Sequence, residues 1–373
     1  MIFFDTTKTG AAGHRSGLMR VSARLRDELG SAATAVSWPE WDRQAGPGDW
    51  FLTGEPFSDD ERPGFADFLA ARRCRCAAIF HDAIPLRYPH ITWPRSVARH
   101  PRYLKMLSQF DRIWAVSAAS RTDLLGFWGW QGVATTPPVD VLALGADFRS
   151  GPRPSSAGMA TAPGSVRRSP GEGGPAVHPP VLSAGAAPGS LAEATIPSLL
   201  CVGILEPRKN QAFLLEVCVA LWREGLRFDL HLAGRVNPHF GEPVRARLKE
   251  LQRDFPGLHY HATADDAALG RLYAAARASV FPTIAEGCGL PLLESLWQGV
   301  PCVASDLPVL RENGAGGGCL FAAVNDPVAW QTALRGVLTD DALQQRLAAE
   351  AGARALPTWA DAALALRAGL TAS

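Results

Sequence analysis

The sequence predicts two α/β domains, each a doubly wound parallel sheet, facing one another across a crevice. Three observations carry that expectation. Strand-like and helix-like stretches alternate along residues 1–148 and again along 198–356, the arrangement that gives parallel sheets with helices on both faces. A different kind of segment interrupts them: from Ser150 to Pro197, Gly, Pro, Ser and Ala dominate and no aromatic residue occurs. Such a stretch cannot bury enough apolar surface to offset its ordering entropy, and it predicts a disordered insertion over 149–197 between the two domains. Near the end of the second half, a strand, a glycine-broken loop, a helix start and a second strand follow in direct succession over Ser279 to Glu312.

In the first half, Ile2 to Phe4 reads as a short strand ending at Asp5, and a loop with Gly10, Gly13 and Gly17 leads into a helix with apolar positions at Leu18, Val21, Leu25 and Leu29. Ala35 to Trp38 and Trp50 to Thr53 are strand candidates with weak alternation, as expected of strands covered on both faces. Ala77 to Phe80 is another and ends at His81-Asp82. A helix over Ser96 to Phe110 feeds a strand from Arg112 to Val116. Ser117 then stands as the cap of a helix over Ala118 to Phe127, and Val139 to Leu144 completes the half.

The second half opens on Leu199 to Leu205, followed by EPRKN and a helix over Gln211 to Trp222. Phe228 to Ala233 predicts a strand ending at Gly234-Arg235. A helix over Val244 to Arg253, a strand over Leu258 to His261 and a helix over Asp266 to Ala276 come next. Closing helices are predicted over Asp326 to Leu338 and Asp341 to Leu356, with the last segment, 357–373, returning toward the first domain.

Bulk properties exclude several classes. The 373 residues exceed one ordinary domain, and the 47% hydrophobic fraction is that of a globular chain. A formal net charge of +1 supplies no field for nucleic acid or an anionic membrane. Seven cysteines without repeated spacing predict no disulfide framework, and Cys74-x-Cys76 lacks the second pair a zinc site needs. MIFFDTTKTG turns polar too soon for a signal peptide or anchor, and no apolar run reaches membrane-spanning length. The expectation is a cytosolic protein, compatible with peripheral contact at the inner face of a membrane.

The segment from Ser279 to Glu312 carries the chemistry. Pro291 falls at a first helical position, after Gly287-Cys288-Gly289, so free backbone N–H groups can face an anion. Glu286 and Glu294 add acceptors for sugar hydroxyls beside it, although acids near a helix start also simply complement its dipole. Arg208 and Lys209 follow a strand, where adjacent cations can neutralise a diphosphate or stand as a solvated basic pair. His81 lies at the carboxyl end of a strand, where parallel sheets place ligand residues. Asp82 can orient its ring or cap the loop.

These residues also carry a resemblance. EGCGLPLLES and GVPCVASD, with Glu-x7-Glu at Glu286 and Glu294, resemble the donor-binding signature of the retaining GT-B glycosyltransferases of family 4. GILEPRKN is similar to the family's diphosphate-binding segment, and HDAIPLRYP to the HD-x-IP stretch of its mannosyltransferase-like members from surface-polysaccharide synthesis. KTGAAGHRSGLMRV resembles the family's first loop more loosely. The likeness covers most of Leu199 to Ser373 and, more thinly, Ile79 to Gly145. It implies the GT-B fold, two Rossmann-like domains with a C-terminal crossover helix in which Trp359 is an anchor. It implies that Glu286 and His81 contact the donor sugar and that Arg208 and Lys209 stabilise the leaving diphosphate. Glu294 would hold the ribose hydroxyls. Gly13, Gly17, Gly287, Gly289 and Leu290 would lie along sugar and phosphate, with Arg235 on the nucleotide side and His14 and Arg15 toward the acceptor. Ser117 matches a serine that caps the same strand end.

The function so implied is metal-independent transfer of a mannose- or glucose-type hexose, with retention, from a GDP- or UDP-linked donor. The acceptor would be a saccharide or lipid-linked glycan, and no cofactor is implied beyond the nucleotide sugar. Two alternatives remain beside it: a sugar-nucleotide epimerase on the same sheet pair, whose histidine and acid pattern is not found here, and a non-catalytic GT-B scaffold, which loss of the acids or the Arg-Lys pair would favour.

Overall fold

The computed structural model describes residues 1–10, 17–58, 60–147 and 196–371. The predicted insertion therefore lies outside the described residues but for its last two, and so do Gly13, His14 and Arg15.

The first half contains β1 (Ile2–Asp5), α1 (Gly17–Leu29), β2 (Ala33–Val36), β3 (Trp50–Thr53), α2 (Phe65–Ala71), β4 (Arg75–Phe80), α3 (Ile84–Arg87), α4 (Pro94–Leu107), β5 (Arg112–Ala115), α5 (Ala118–Trp130) and β6 (Val139–Val141). Its six strands form one sheet in the order β2-β1-β3-β4-β5-β6, all pairs parallel. The second half contains β7 (Ser198–Val202), α6 (Gln211–Arg223), β8 (Asp229–Ala233), α7 (Glu242–Asp254), β9 (Leu258–His261), α8 (Asp266–Ala275), β10 (Ala278–Phe281), α9 (Leu290–Trp297), β11 (Cys302–Ser305), α10 (Pro308–Gly314), β12 (Cys319–Ala322), α11 (Pro327–Thr339), α12 (Asp341–Ala353) and α13 (Trp359–Thr371). Its sheet runs β12-β11-β10-β7-β8-β9, again wholly parallel. Both sheets are doubly wound. Chain direction across the sheet reverses between β1 and β3 in one and between β7 and β10 in the other, the places where such sheets open a ligand crevice.

The predicted strands and helices recur, most of them with shifted ends and Trp50–Thr53 and Leu258–His261 unchanged. β2 sits two residues before Ala35–Trp38 because Val36 pairs with Asp5 and Trp38 leaves the sheet. The backbone N–H of Trp38 donates to the Thr7 hydroxyl and its indole to the Pro63 carbonyl, and the ring meets Phe65 edge-on at 4.9 Å between centroids. Four elements were not expected: α2, α3, α10 and β12. The three helices are seven residues or fewer, less than two turns and too short to display a helical period.

The last helix crosses back as expected. Trp359, Ala363, Leu366 and Leu370 of α13 pack with Val21, Leu25 and Leu29 of α1 in the core of the first domain. The Trp359 N–H donates to Asp147 at 2.6 Å, and Gly145 has no room for a side chain because a Cβ there would lie 2.3 Å from the Trp359 nitrogen. Among the described residues no helix is long and apolar enough to cross a membrane, and all seven cysteines are free thiols.

Candidate functional site

The site is assembled at the switch point of the second sheet. After β7 the chain makes a 3-10 turn, Pro207–Lys209, and after β10 it runs through Thr283 to Glu286. The two loops are stitched together: the Arg208 carbonyl accepts from the Ile284 N–H at 2.8 Å and from the Thr283 hydroxyl at 3.1 Å. That brings the predicted cations onto the predicted acid. Oε1 of Glu286 accepts from Arg208 at 2.9 Å, Lys209 at 2.5 Å and Thr283 at 2.7 Å. Arg208 also donates to the Ala285 carbonyl and to Glu206, both at 2.9 Å, and the Lys209 ammonium lies 4.9 Å from the centre of the Phe281 ring.

Burial and charge oppose each other in this triad. Burial pushes the Glu286 carboxyl up, but Arg208 and Lys209 outweigh it and hold the group below its ordinary range. Burial lowers the Lys209 ammonium, and Glu286 only partly restores it. Burial also acts to lower Arg208, yet Glu286, Glu206 and Asp82 together raise it. A fixed guanidinium and a buried ammonium thus flank a carboxylate that is already saturated on one oxygen.

The glycine loop faces the first domain. Gly287 is pressed against β4's exit: a Cβ there would lie 2.3 Å from the His81 carbonyl oxygen. The Gly287 carbonyl accepts from the hydroxyls of Ser117 at 2.6 Å and Ser120 at 3.0 Å, across the crevice. Gly289 takes a left-handed φ of 84° at the start of α9, a helix whose N-terminus no side chain caps. Leu290 and Cys288 pack against the core of the first domain. Ser117 caps α5 as expected, its side chain accepting from the Ser120 N–H. Glu312 of the second domain completes that cap, accepting from the Ala118 N–H at 2.9 Å.

His81 points its Nε2 at the Gly54 carbonyl, 2.8 Å away. A carbonyl only accepts, so Nε2 carries the proton and the neutral ring keeps a lone pair on Nδ1. Burial lowers its pKa, against the Gly54 bond and the charge of Asp82. Asp82 acts as a cap, its Oδ1 accepting from the Ile84 N–H at 3.0 Å.

Glu294 lies one turn into α9 and is nearly inaccessible, and Arg20 of α1 donates to it across the crevice. Burial raises its pKa, and Arg20 pulls it back down. Arg20 was not singled out in the sequence, since an arginine on an amphipathic helix looks like any solvated cation. Arg235 is half-buried after β8, its carbonyl accepting from the Leu205 N–H at 2.8 Å. Gly17 begins α1, with open space where a Cβ would stand.

A second charged cluster, also unforeseen, lies at the switch point of the first sheet. Arg62 is wholly buried and donates to Asp5 and, at 3.1 Å, to Glu55. Glu55 in turn accepts from the N–H groups of Lys8 at 2.8 Å and Thr9 at 2.7 Å, which pins the loop after β1.

Residues 196–340 match the family model described as glycosyl transferases group 1. Over 251 residues the chain is 28% identical to the serotype-specific mannosyltransferase WbdA of Escherichia coli, covering 66% of this chain but only 28% of that protein. Over 147 residues it is 35% identical to the Escherichia coli O-antigen chain mannosyltransferase B, covering 39% of this chain and 38% of the relative. The chain thus spans well under half the length of these relatives. Among solved structures, Anabaena HepE in complex with UDP and glucose superposes with a TM-score of 0.67 at 13% identity, covering 100% of this chain and 99% of that one. Sucrose-phosphate synthase from Thermosynechococcus elongatus superposes with a TM-score of 0.64 at 17% identity, covering 100% and 99%. Residues 196–340, which carry the Arg-Lys-Glu triad, thus match glycosyl transferases group 1, and the two facing doubly wound sheets with a returning terminal helix are those of the GT-B fold.

Proposed function

We propose that the chain transfers a hexose of the mannose or glucose type, with retention and without a metal, from a nucleoside-diphosphate sugar to a saccharide or lipid-linked glycan. The observation that carries this reading is the Arg208–Glu286–Lys209 triad, set where the second sheet reverses, beside a glycine loop whose Gly287 is pressed against the His81 carbonyl of the first. As the bond from sugar to phosphate breaks, negative charge grows on the diphosphate, and two cations already fixed by Glu286 can meet it without reorganising. Cations in that place do what a metal otherwise would. Glu286, with one oxygen saturated and its pKa lowered, is a weak base and a weak nucleophile. It is suited to accept from sugar hydroxyls instead, which supports a reaction on the face that the leaving group vacates. His81 offers Nδ1 to the same sugar from the opposite wall. Gly287, Gly289 and Leu290 line the approach to sugar and phosphate, and Arg235 stands on the nucleotide side. Glu294 takes the ribose hydroxyls in exchange for part of its bond to Arg20. The mannosyltransferase relatives favour mannose, and an acceptor on a lipid carrier would bring the protein to the membrane surface.

A panel of nucleotide sugars, screened by melting shift and then assayed for transfer in EDTA with the product anomer determined, tests the whole reading. Retention in EDTA, loss of turnover in Arg208→Met and Lys209→Met, and weaker donor binding in Glu294→Ala are expected. An inverted product defeats the retaining mechanism, and strict dependence on added manganese or magnesium defeats metal independence. No stabilisation by any nucleotide sugar at millimolar concentration favours a non-catalytic scaffold, because a ligand that binds only the folded state must stabilise it.

A further inference from the structure

At the far edge of the second sheet, away from the crevice, β8 and β9 carry a group of side chains that the transfer reaction does not use. In this parallel pair His231 is level with His259 and Ala233 with His261. Residues two apart on a strand share a face, and Asp229, His231, His259 and His261 meet on one. The rings of His231 and His259 are nearly parallel at 4.6 Å between centroids, and those of His231 and His261 at 5.3 Å. Nδ1 of His231 is hydrogen-bonded to Nε2 of His261 at 3.0 Å, and Nε2 of His259 is 3.7 Å from Asp229. One ligand atom from each of Asp229, His231 and His259 lies within 4.8 Å of the others.

We propose that Asp229, His231 and His259 bind a divalent cation of the zinc class, and that His261 positions His231 for it. Two imidazoles and one carboxylate suit zinc, which those groups hold tetrahedrally with water in the fourth place, whereas magnesium and calcium require all-oxygen sets. Bonds of about 2.0–2.2 Å put the ligands of a tetrahedral site roughly 3.4 Å apart, so side-chain rotations that draw the three atoms together by an ångström or so complete the geometry. The hydrogen bond between His231 and His261 is the outer-shell device of such sites. With the Nδ1 proton directed at His261, the Nε2 lone pair of His231 is left for the cation. Asp229 and His259 are 30% and 39% exposed, so a hydrated ion and its water can enter.

The position says what the ion would do. Asp229 opens β8 and His259 is the second residue of β9, whereas Arg208 and Glu286 follow the carboxyl ends of β7 and β10. The cation lies toward the opposite end of the sheet from the triad, and it staples the edge strand β9 to β8. Its role is structural, and it stands independently of the transfer reaction.

The test titrates zinc chloride, and separately cobalt chloride, into the full chain after chelator treatment. The melting temperature should rise by about 3–5 °C for each tenfold excess of zinc over its dissociation constant, and cobalt should give the intense visible absorption of a tetrahedral site. Magnesium should give neither. His259→Ala and Asp229→Asn should abolish both signals, each variant being compared with its own metal-free melt, while His239→Ala should keep them. His261→Ala should weaken zinc by roughly ten- to a hundredfold, and His261→Gln, which retains an acceptor, should restore most of it. Absence of a zinc shift in the wild type, a shift undiminished in His259→Ala, or a weak octahedral cobalt spectrum would overturn the proposal.

Discussion

Glu286→Gln separates the duty that the structure gives this carboxylate, holding Arg208 and Lys209, from the contact with donor sugar proposed for it. Its Oε1 accepts from Arg208, Lys209 and Thr283. Glutamine keeps the shape and an acceptor but not the charge. Hydrogen bonds to a charged acceptor contribute about 1.5–3 kcal/mol and neutral ones about 0.5–1.5, so weakening two of them costs about 2 kcal/mol. For a unit the size of the second domain that lowers the melting temperature by roughly 4–8 °C. The nucleoside diphosphate should respond in the opposite direction. A negative charge about 8 Å from a phosphate opposes it by about 2 kcal/mol at an effective dielectric near 20, so its removal should tighten diphosphate binding by roughly tenfold after screening. Turnover should nonetheless fall by roughly ten- to a hundredfold, because the donor sugar loses a charged acceptor. Calorimetric melting, diphosphate titration and initial rates on one variant decide the matter. An unchanged melt together with weaker diphosphate binding would refute the reasoning, since it would mean that the carboxylate neither restrains the cations nor competes with phosphate.

Other perturbations follow from the same contacts. The pKa of Glu286 is held below its free value of 4.5, so its contribution to stability is present above that value and is lost as pH falls through the lower, folded pKa. The stability gap between wild type and Glu286→Gln, measured by urea melts across pH, should therefore be full at pH 6 and shrink as pH falls below the free value of 4.5. Arg20→Met leaves Glu294 buried without the partner that crosses the crevice, and should cost about 3 kcal/mol, the low end for a broken buried pair because Arg20 is 30% exposed. Gly287→Ala places a Cβ 2.3 Å from the His81 carbonyl, and should cost about 1–3 kcal/mol in a thermal melt and raise the radius of gyration in small-angle scattering as the sheets part. Arg62→Met strands Asp5 and Glu55 without their shared cation, and should cost about 3–5 kcal/mol in chemical denaturation.

Much of the fold was legible because its signals are local. Trp50–Thr53 and Leu258–His261 are bounded as the apolar pattern predicts, and Ser117 announces its helix through cap chemistry that spans three residues. The Arg-Lys pair and the two glutamates were legible as types of residue in a glycine-broken strand-to-helix unit. Their mutual contact was not: Lys209 and Glu286 are 77 residues apart, and only the pairing of β7 with β10 brings them together. The short helices α2, α3 and α10 escaped because seven residues or fewer span less than two turns, too few to show a helical period.

The chain's own pattern determined two doubly wound halves and the residue types that gather at the switch point of the second sheet, because periodicity, glycine and caps act over a few residues. Tertiary structure alone decided the partners. Arg20 reaches Glu294 across 274 positions, Glu312 caps α5 across 194, and Arg62 meets Asp5 across 57. The histidines of β8 and β9 form a cluster only through a strand register that no local pattern encodes. A buried charge takes whichever counter-charge the packing leaves within reach, and that choice is settled when the sheets and the two domains come together.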